Sequence, residues 1–391
     1  MQASTESWRG RIALMVAHCA GMIDLVALPV WVGALIAQYG FSPPQAGGLA
    51  TLFLLGAVVS SVIFAPRFNR IDARLMAVAG FALAAAAFFA ASLTTTFAAM
   101  AVCHVVAGAS VGAALSFTHG TIAHSGHPHR LFAIVGFALG VFAIIFLGAT
   151  PNLIVAFGGV ALFRTFATVM AVAAIAAALA FPKATKHLDE DIVEEVTHLN
   201  PAVWFGVAGI SCMALTQSMM FSFLERIGID RGFSREAVTG VLIALGFVSL
   251  VPAPLAAFFE KRLPPYGVLM AGPIVQAAVA LAIVLSGSFP GYAIPAAVFA
   301  PVMIFTHTFG FGVLAKLDPT SRALAGTPAM LMIGAAVGPI LGGVLVQAFG
   351  YPALGIAAIV IAAIAFTLFA RLRAATSVVT SAATVTRPAR G

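Results

Sequence analysis

An acidic residue lies near the middle of the first long apolar segment of the chain. Asp24 falls within an apolar run from about Ile12 to Ala37, and about 20 residues at 1.5 Å per residue cover a hydrocarbon core of ~30 Å. A carboxyl group at that depth costs roughly 2.5–3.5 kcal/mol or more, so it should face protein or water. Asp24 is therefore either a functional acid that exchanges a proton or a structural acid bonded to a neighbouring helix.

Histidine, cysteine and methionine residues lie inside other apolar segments and offer a second kind of chemistry. Met303 and His307 are four residues apart, so they share one face of a helix. Cys103 and His104 are adjacent in a different segment. Thiol, thioether and imidazole groups together suit Cu(I), and imidazole alone titrates near neutral pH.

The composition predicts the elements that must hold these groups. Hydrophobic residues make up 61% of the 391 residues and charged residues only 8%, whereas a soluble domain has about 25% charged residues. We therefore expect an all-α polytopic membrane protein. The first apolar run is too long for a cleaved signal peptide, and cysteines inside apolar segments predict no disulfide framework.

The apolar segments predict twelve transmembrane helices. Their expected bounds are 11–38, 44–64, 74–93, 97–123, 130–152, 158–181, 201–225, 235–259, 265–286, 290–315, 320–349 and 351–372. A polar segment over 182–200 predicts a linker between two six-helix halves, 1–181 and 201–376, and a disordered tail is expected over 377–391. We number these spans one to twelve.

Lysine and arginine predict the orientation. With the N-terminus placed in the cytoplasm, all but four of the 20 Lys and Arg residues fall on the cytoplasmic side. The four exceptions are Arg164, Arg226, Arg231 and Arg235. We therefore expect a multi-pass protein of a bacterial-type inner membrane, with both termini and the 182–200 linker in the cytoplasm.

Three stretches carry a resemblance to a known family. Residues 65–74 are similar to a degenerate Gly-x-x-x-Asp-Arg-x-Gly-Arg-Arg loop, with Arg70 and Arg74 in basic positions. Glu260 and two following bases occupy the equivalent loop of the second half, and residues 334–343 match Gly-x-x-x-Gly-Pro-x-x-Gly-Gly. With the six-plus-six division, the chain resembles the major facilitator superfamily (MFS) of transporters. The resemblance implies the MFS fold, in which spans one, four, seven and ten line a central cavity.

The positions of polar residues agree with that implied cavity. Most polar residues well inside apolar segments fall on those four spans: His18, Asp24, His104, His119, Ser211, Thr216, Gln217, Ser218, Thr306, His307 and Thr308. Gln276, in span nine, is the main exception. Groups that cannot face lipid thus gather where the family places water.

The same resemblance implies a proton-coupling role for Asp24, because an acid in the first span commonly carries the proton in coupled members. His104 is the expected partner on span four, about 9 Å farther along the membrane normal. The alternative for His104 is a packing histidine bonded to a backbone carbonyl.

Candidate substrate contacts follow from the cavity spans. Gln217 and His307 offer amide and imidazole hydrogen bonds, while Phe221 and Phe305 add apolar wall. Trp31, on nearly the same face as Asp24, stacks on a ring or anchors the outer end of its span.

Gating groups are expected at the two ends of the bundle. The resemblance assigns Arg70, Arg74 and Glu260 to the cytoplasmic loops. Glu225 and Arg226 close span seven at the outer face, either as an ion-pair gate or as a solvated helix end.

The sequence therefore predicts a secondary active transporter that moves a small organic solute by alternating access, coupled to protons through Asp24. One alternative is a copper transporter using Met303, His307, Cys103 and His104. The other is proton-antiporting drug efflux, of whose span-five motif only Gly136 and Gly140 remain. The expected partners are the solute, protons and the lipid bilayer, with a monomeric protein and no nucleic acid.

An enzyme is not expected, because the sequence has no Ser/His/Asp set and no phosphate-binding glycine loop. No cofactor is predicted. A receptor would need a soluble signalling region, which these 391 residues do not contain.

Overall fold

The computed structural model describes residues 4–182, 201–317 and 327–385. The predicted linker beyond residue 182, the start of predicted span eleven and the last residues of the predicted tail lie outside this part. The helices are α1 Trp8–Gly21, α2 Ile23–Tyr39, α3 Pro43–Phe64, α4 Ala73–Ala91, α5 Phe97–Ala123, α6 Pro128–Phe157, α7 Val160–Ala180, α8 Pro201–Phe221, α9 Leu224–Asp230, α10 Arg235–Val248, α11 Pro252–Phe259, α12 Pro265–Leu285, α13 Phe289–Leu317, α14 Thr327–Phe349 and α15 Pro352–Val385.

These helices confirm the prediction of twelve membrane spans within the described residues. Span one consists of α1 and α2, span seven of α8 and α9, and span eight of α10 and α11; each other span is one helix. The last helix continues to Val385, past the predicted end of the second half at residue 376.

Short turns reverse the chain between spans. Asp72 accepts a hydrogen bond from the N–H of Leu75 and so begins α4, and Ser234 caps α10 in the same way. Gly40 ends α2 with a φ of 69°, and Gly350 follows α14 with a φ of 74°, a conformation that glycine adopts without steric cost.

Successive spans alternate in direction, which gives the bundle two ends. The Tyr39 end carries Tyr39, Thr95, Gly158, Asp230, Ser288 and Tyr351. The Arg70 end carries Ser7, Arg70, His124 and Glu260.

Spans two and eleven meet where the two halves of the chain touch. A Cβ atom on Gly47 would overlap the carbonyl group of Pro339, and one on Gly343 would overlap that of Pro43. The N–H of Ile340 donates to the Thr51 hydroxyl at 3.2 Å. Small residues therefore bring two backbones together here, as they do between other membrane helices.

Two further pairs of spans complete this seam between the halves. Spans five and eight touch at Gly148 beside Ile243 and at Gly246 beside Ile144. Spans one and seven touch at Gly33, which lies beside the Glu225 carboxyl group. These contacts extend from the middle of the bundle to the Tyr39 end.

Replacing Gly47 with alanine should lower stability, because the added methyl group overlaps a backbone carbonyl that cannot rotate away. Overpacking of this kind costs about 1–3 kcal/mol. Thermal unfolding in detergent measures the effect. The matched control is Gly136→Ala, a helical glycine with open space around it; equal effects of both variants would contradict the close contact.

Candidate functional site

The first span is broken at its centre. α1 ends at Gly21, Met22 has φ −104° and ψ 23°, and α2 begins at Ile23. The N–H of Met22 still donates to the His18 carbonyl at 3.0 Å. Pro29 follows in the second turn of α2, where its ring removes another backbone donor. The break therefore places the start of a new helix inside the membrane.

Asp24 lies in the first turn of α2 and is only 6% exposed. The backbone N–H groups of Asp24 and Leu25 lie beside its carboxyl group. Among the described residues it has no ion pair. The start of a helix stabilises a negative charge, while burial penalises it. Opposing effects thus act on an acid that no fixed cation neutralises.

Trp31 and His104 form the centre of an aromatic cluster in the first half. Both side chains are fully buried, and their rings lie 5.5 Å apart at an interplanar angle of 28°. Phe53, Phe88 and Phe166 pack around Trp31. Trp31 is thus enclosed by rings of the first half, and no described contact joins His104 to Asp24.

His104 is bonded as the alternative interpretation expects, with its Nδ1 atom 2.6 Å from the Met100 carbonyl oxygen. Its Nε2 atom and the Nε1 atom of Trp31 are buried without a hydrogen-bond partner in the described structure. Orphaned polar atoms of this kind are uncommon.

A histidine pair joins spans one and four on the Arg70 side of Asp24. Nδ1 of His18 lies 3.0 Å from Nε2 of His119, and the edge of Phe132 covers the His119 ring. One ring donates and the other accepts, according to the tautomers. His119 was among the polar residues predicted for span four, but its pairing with His18 was not predicted.

In the second half, Gln217 lies on α8 and is buried. Its Oε1 atom accepts from Nε2 of Gln276 at 3.3 Å, and the same Gln276 nitrogen donates to the Met213 carbonyl at 3.1 Å. Gln276, the apparent exception on span nine, therefore points into span seven and not into lipid.

The other predicted substrate contacts lie on α8 and α13. Nδ1 of His307 is 2.9 Å from the Met303 carbonyl oxygen, which leaves its Nε2 atom for other contacts. Phe221 packs against Phe299, with 5.9 Å between the ring centroids. Phe305 lines an apolar groove of about 420 Å³ between spans eight, nine and ten.

Metal ligands do not cluster in the described part of the chain. No group of three or more His, Cys, Asp or Glu side chains there could hold a metal ion. Met303 and His307 share a helix, but Cys103 and His104 lie on α5, and His104 is enclosed by aromatic rings.

The predicted gating residues differ in their surroundings. Arg74 donates to the Ala178 carbonyl within the first half, and Arg226 pairs with Asp230 at 2.8 Å within α9. Arg70 and Glu260 are exposed, without an ion pair among the described residues. Glu225, 8% exposed, and the Cβ atom of Arg226 face Gly33 of the opposite half.

The ion pair of α9 continues to the loop before α15. The Tyr351 hydroxyl donates to Oδ2 of Asp230 at 2.6 Å. Burial and the Asp230 carboxylate raise the pKa of Tyr351, so this hydroxyl stays protonated and keeps donating. Arg231 donates to the last carbonyl groups of α12, so the hydrogen bonds of this cluster lie within the second half.

Comparisons with known proteins agree with this architecture. A family model described as Major Facilitator Superfamily matches residues 13–320. A bacterial homolog of the human lysosomal transporter Spinster, solved in an inward-facing and occupied conformation, superposes with a TM-score of 0.71 and 15% identity, covering 94% of this chain and 96% of that chain. A mutant of the nucleoside transporter NupG superposes with a TM-score of 0.71 and 14% identity, covering 93% of this chain and 99% of that chain. No curated protein matches the chain.

Removing His119 should destabilise the protein, because His119→Leu leaves Nδ1 of His18 without its partner. Such an unsatisfied group costs about 1–3 kcal/mol. Thermal unfolding of His18→Leu, His119→Leu and the double variant measures the coupling between the two histidines. We expect the double variant to lose less stability than the sum of the two single losses. His124→Leu, at an exposed histidine bonded to Gly120, is the control. Additive losses would contradict the pairing.

Proposed function

The chain belongs to the Major Facilitator Superfamily, and from this we propose that it is a proton-coupled secondary active transporter of a small organic solute. Its twelve spans support a solute path that crosses a membrane. The observation that carries the proposal is Asp24, a buried acid at a helix break without a cation partner in the described structure.

Proton carriage by Asp24 follows from its surroundings. The amide groups of its own turn can hold the carboxylate, and the apolar surroundings can hold the neutral acid. A group that is stable in both forms can bind a proton on one side of the membrane and release it on the other. A fixed ion pair would oppose this exchange, because it would hold the ionised form.

The expected solute is neutral or carries few charges. Gln217 and His307 offer hydrogen bonds in the second half, and the described parts of spans one, four, seven and ten hold Arg or Lys only near their ends. A phosphate or polycarboxylate would require a fork of cationic donors deeper in these spans. Nucleosides, sugars and aromatic compounds bind without such a fork.

We place the Tyr39 end outside the cell, following the excess of Lys and Arg at the Arg70 end. The seam between the halves is then closed toward the outside, at Gly33, Gly47 and Gly343. Alternating access would open this seam and close the Arg70 end.

A ligand-stabilisation screen identifies the solute first. Purified protein is heated with nucleosides, sugars, amino acids, short-chain acids, drugs and Cu(I). A ligand at 100 times its Kd adds about 2.7 kcal/mol to stability. A stoichiometric response to Cu(I) alone would favour the metal alternative over an organic solute.

Asp24→Asn should then abolish accumulation of that solute under an inward proton gradient in proteoliposomes. The amide keeps the size and polarity of the side chain but cannot carry a proton, so uptake should stop at equilibration while the ligand still stabilises the protein. Glu236→Gln, at an exposed acid, controls for charge. Undiminished proton-driven accumulation in Asp24→Asn would rule out this role.

A further inference from the structure

Two of the seven acids in the described residues are buried: Asp24 and Glu225. They lie on spans one and seven, the first span of each half. Each is the second residue after a break in its span, at Met22 and at Phe223. The helix that follows the second break, α9, has only 7 residues, so its N-terminus is too short to form a binding site. The relevant property of Glu225 is instead its burial between the halves.

The Glu225 carboxyl group reaches across this seam. Its Oε2 atom lies 3.1 Å from the position that a Cβ atom on Gly33 would occupy. It also lines a small cavity of about 50 Å³ between spans one, five, seven and eight, with Gln38, Pro151 and Arg235. A polar cavity of this size has room for water, which is the group's route to solvent at the Tyr39 end.

The charges near Glu225 do not neutralise it. Arg226 already pairs with Asp230 at 2.8 Å, and Arg235 is exposed, so water screens its attraction. Tyr292, which also faces Glu225, donates its hydroxyl to the Leu224 carbonyl at 2.8 Å. The cavity residues from spans one and five carry no charge. Desolvation is therefore the dominant effect on this carboxyl group.

We propose that Glu225 is a second proton-binding site, located in the seam, and that proton binding there holds the Tyr39 end closed. The closed seam buries the carboxyl group and favours its neutral form, whereas an open seam hydrates it and favours the ionised form. A proton from the solvent at the Tyr39 end adds to a carboxylate oxygen as the seam closes, and returns to that solvent as it opens. This inference rests on the alternating access proposed above.

Distances between spin labels test the proposal without a known solute. Thr95 in the first half and Ser288 in the second are exposed at the Tyr39 end, and each is changed to cysteine after Cys19, Cys103 and Cys212 are replaced by alanine. The distance between the two spin labels is measured by double electron–electron resonance in lipid nanodiscs at about pH 5 and about pH 8. These values bracket the titration of a buried carboxyl group.

We expect a longer-distance population that is several-fold larger at the higher pH. Glu225→Gln should abolish this pH response and keep the shorter distance at both pH values, whereas Glu225→Asp should retain the response. Glu236→Gln, an exposed acid of the same end, should behave as the unmodified protein.

A pH response that persists in Glu225→Gln would overturn the proposal, as would a longer distance in that variant at the lower pH. Asp24→Asn separates the two acids. If Asp24→Asn abolishes the response and Glu225→Gln does not, the inference about Glu225 fails while proton coupling at Asp24 stands. If Asp24→Asn leaves the response intact, the distances support Glu225 irrespective of the transport result.

Discussion

The cost of leaving a polar group unpaired in hydrocarbon governs where this chain places its polar side chains. Gln276 bonds to Gln217, His18 bonds to His119, and the Asp24 carboxyl group lies beside the amide groups of its own helix turn. The first two arrangements join different spans and fix their packing. The third leaves the acid without a partner on another span among the described residues, which suits a group that must change its protonation state.

The seam between the halves does not depend on polar side-chain contacts in the same way. It depends on glycines, which have no side chain. Gly47 and Gly343 let spans two and eleven approach until backbone meets backbone, and Gly33 makes room for the Glu225 carboxyl group. Contacts of this kind hold without long interlocking side chains, so the halves can separate at one end and meet at the other. A buried acid in such a seam gains water whenever it opens, which links proton binding to conformation.

Sequence patterns predicted the fold well because hydropathy reports directly on membrane spans. They also identified Asp24, whose burial cost is visible in the sequence. They did not predict the pairing of His18 with His119, or that Gln276 turns toward span seven, because helix rotation depends on packing between distant segments. Trp31 and His104 stack on each other in an aromatic core, a contact that the sequence did not predict. The 3.6-residue period shows which residues share one face of a helix, but it does not identify the helix against which that face packs.

The most direct test of proton carriage by Asp24 counts protons that move with the solute. Proteoliposomes are loaded with a pH-sensitive dye, and the solute from the stabilisation screen is added outside without an imposed proton gradient. We predict that solute entry acidifies the interior at a fixed ratio of protons to solute, and that Asp24→Asn exchanges labelled solute without moving protons. Acidification at the same ratio in Asp24→Asn would contradict the account.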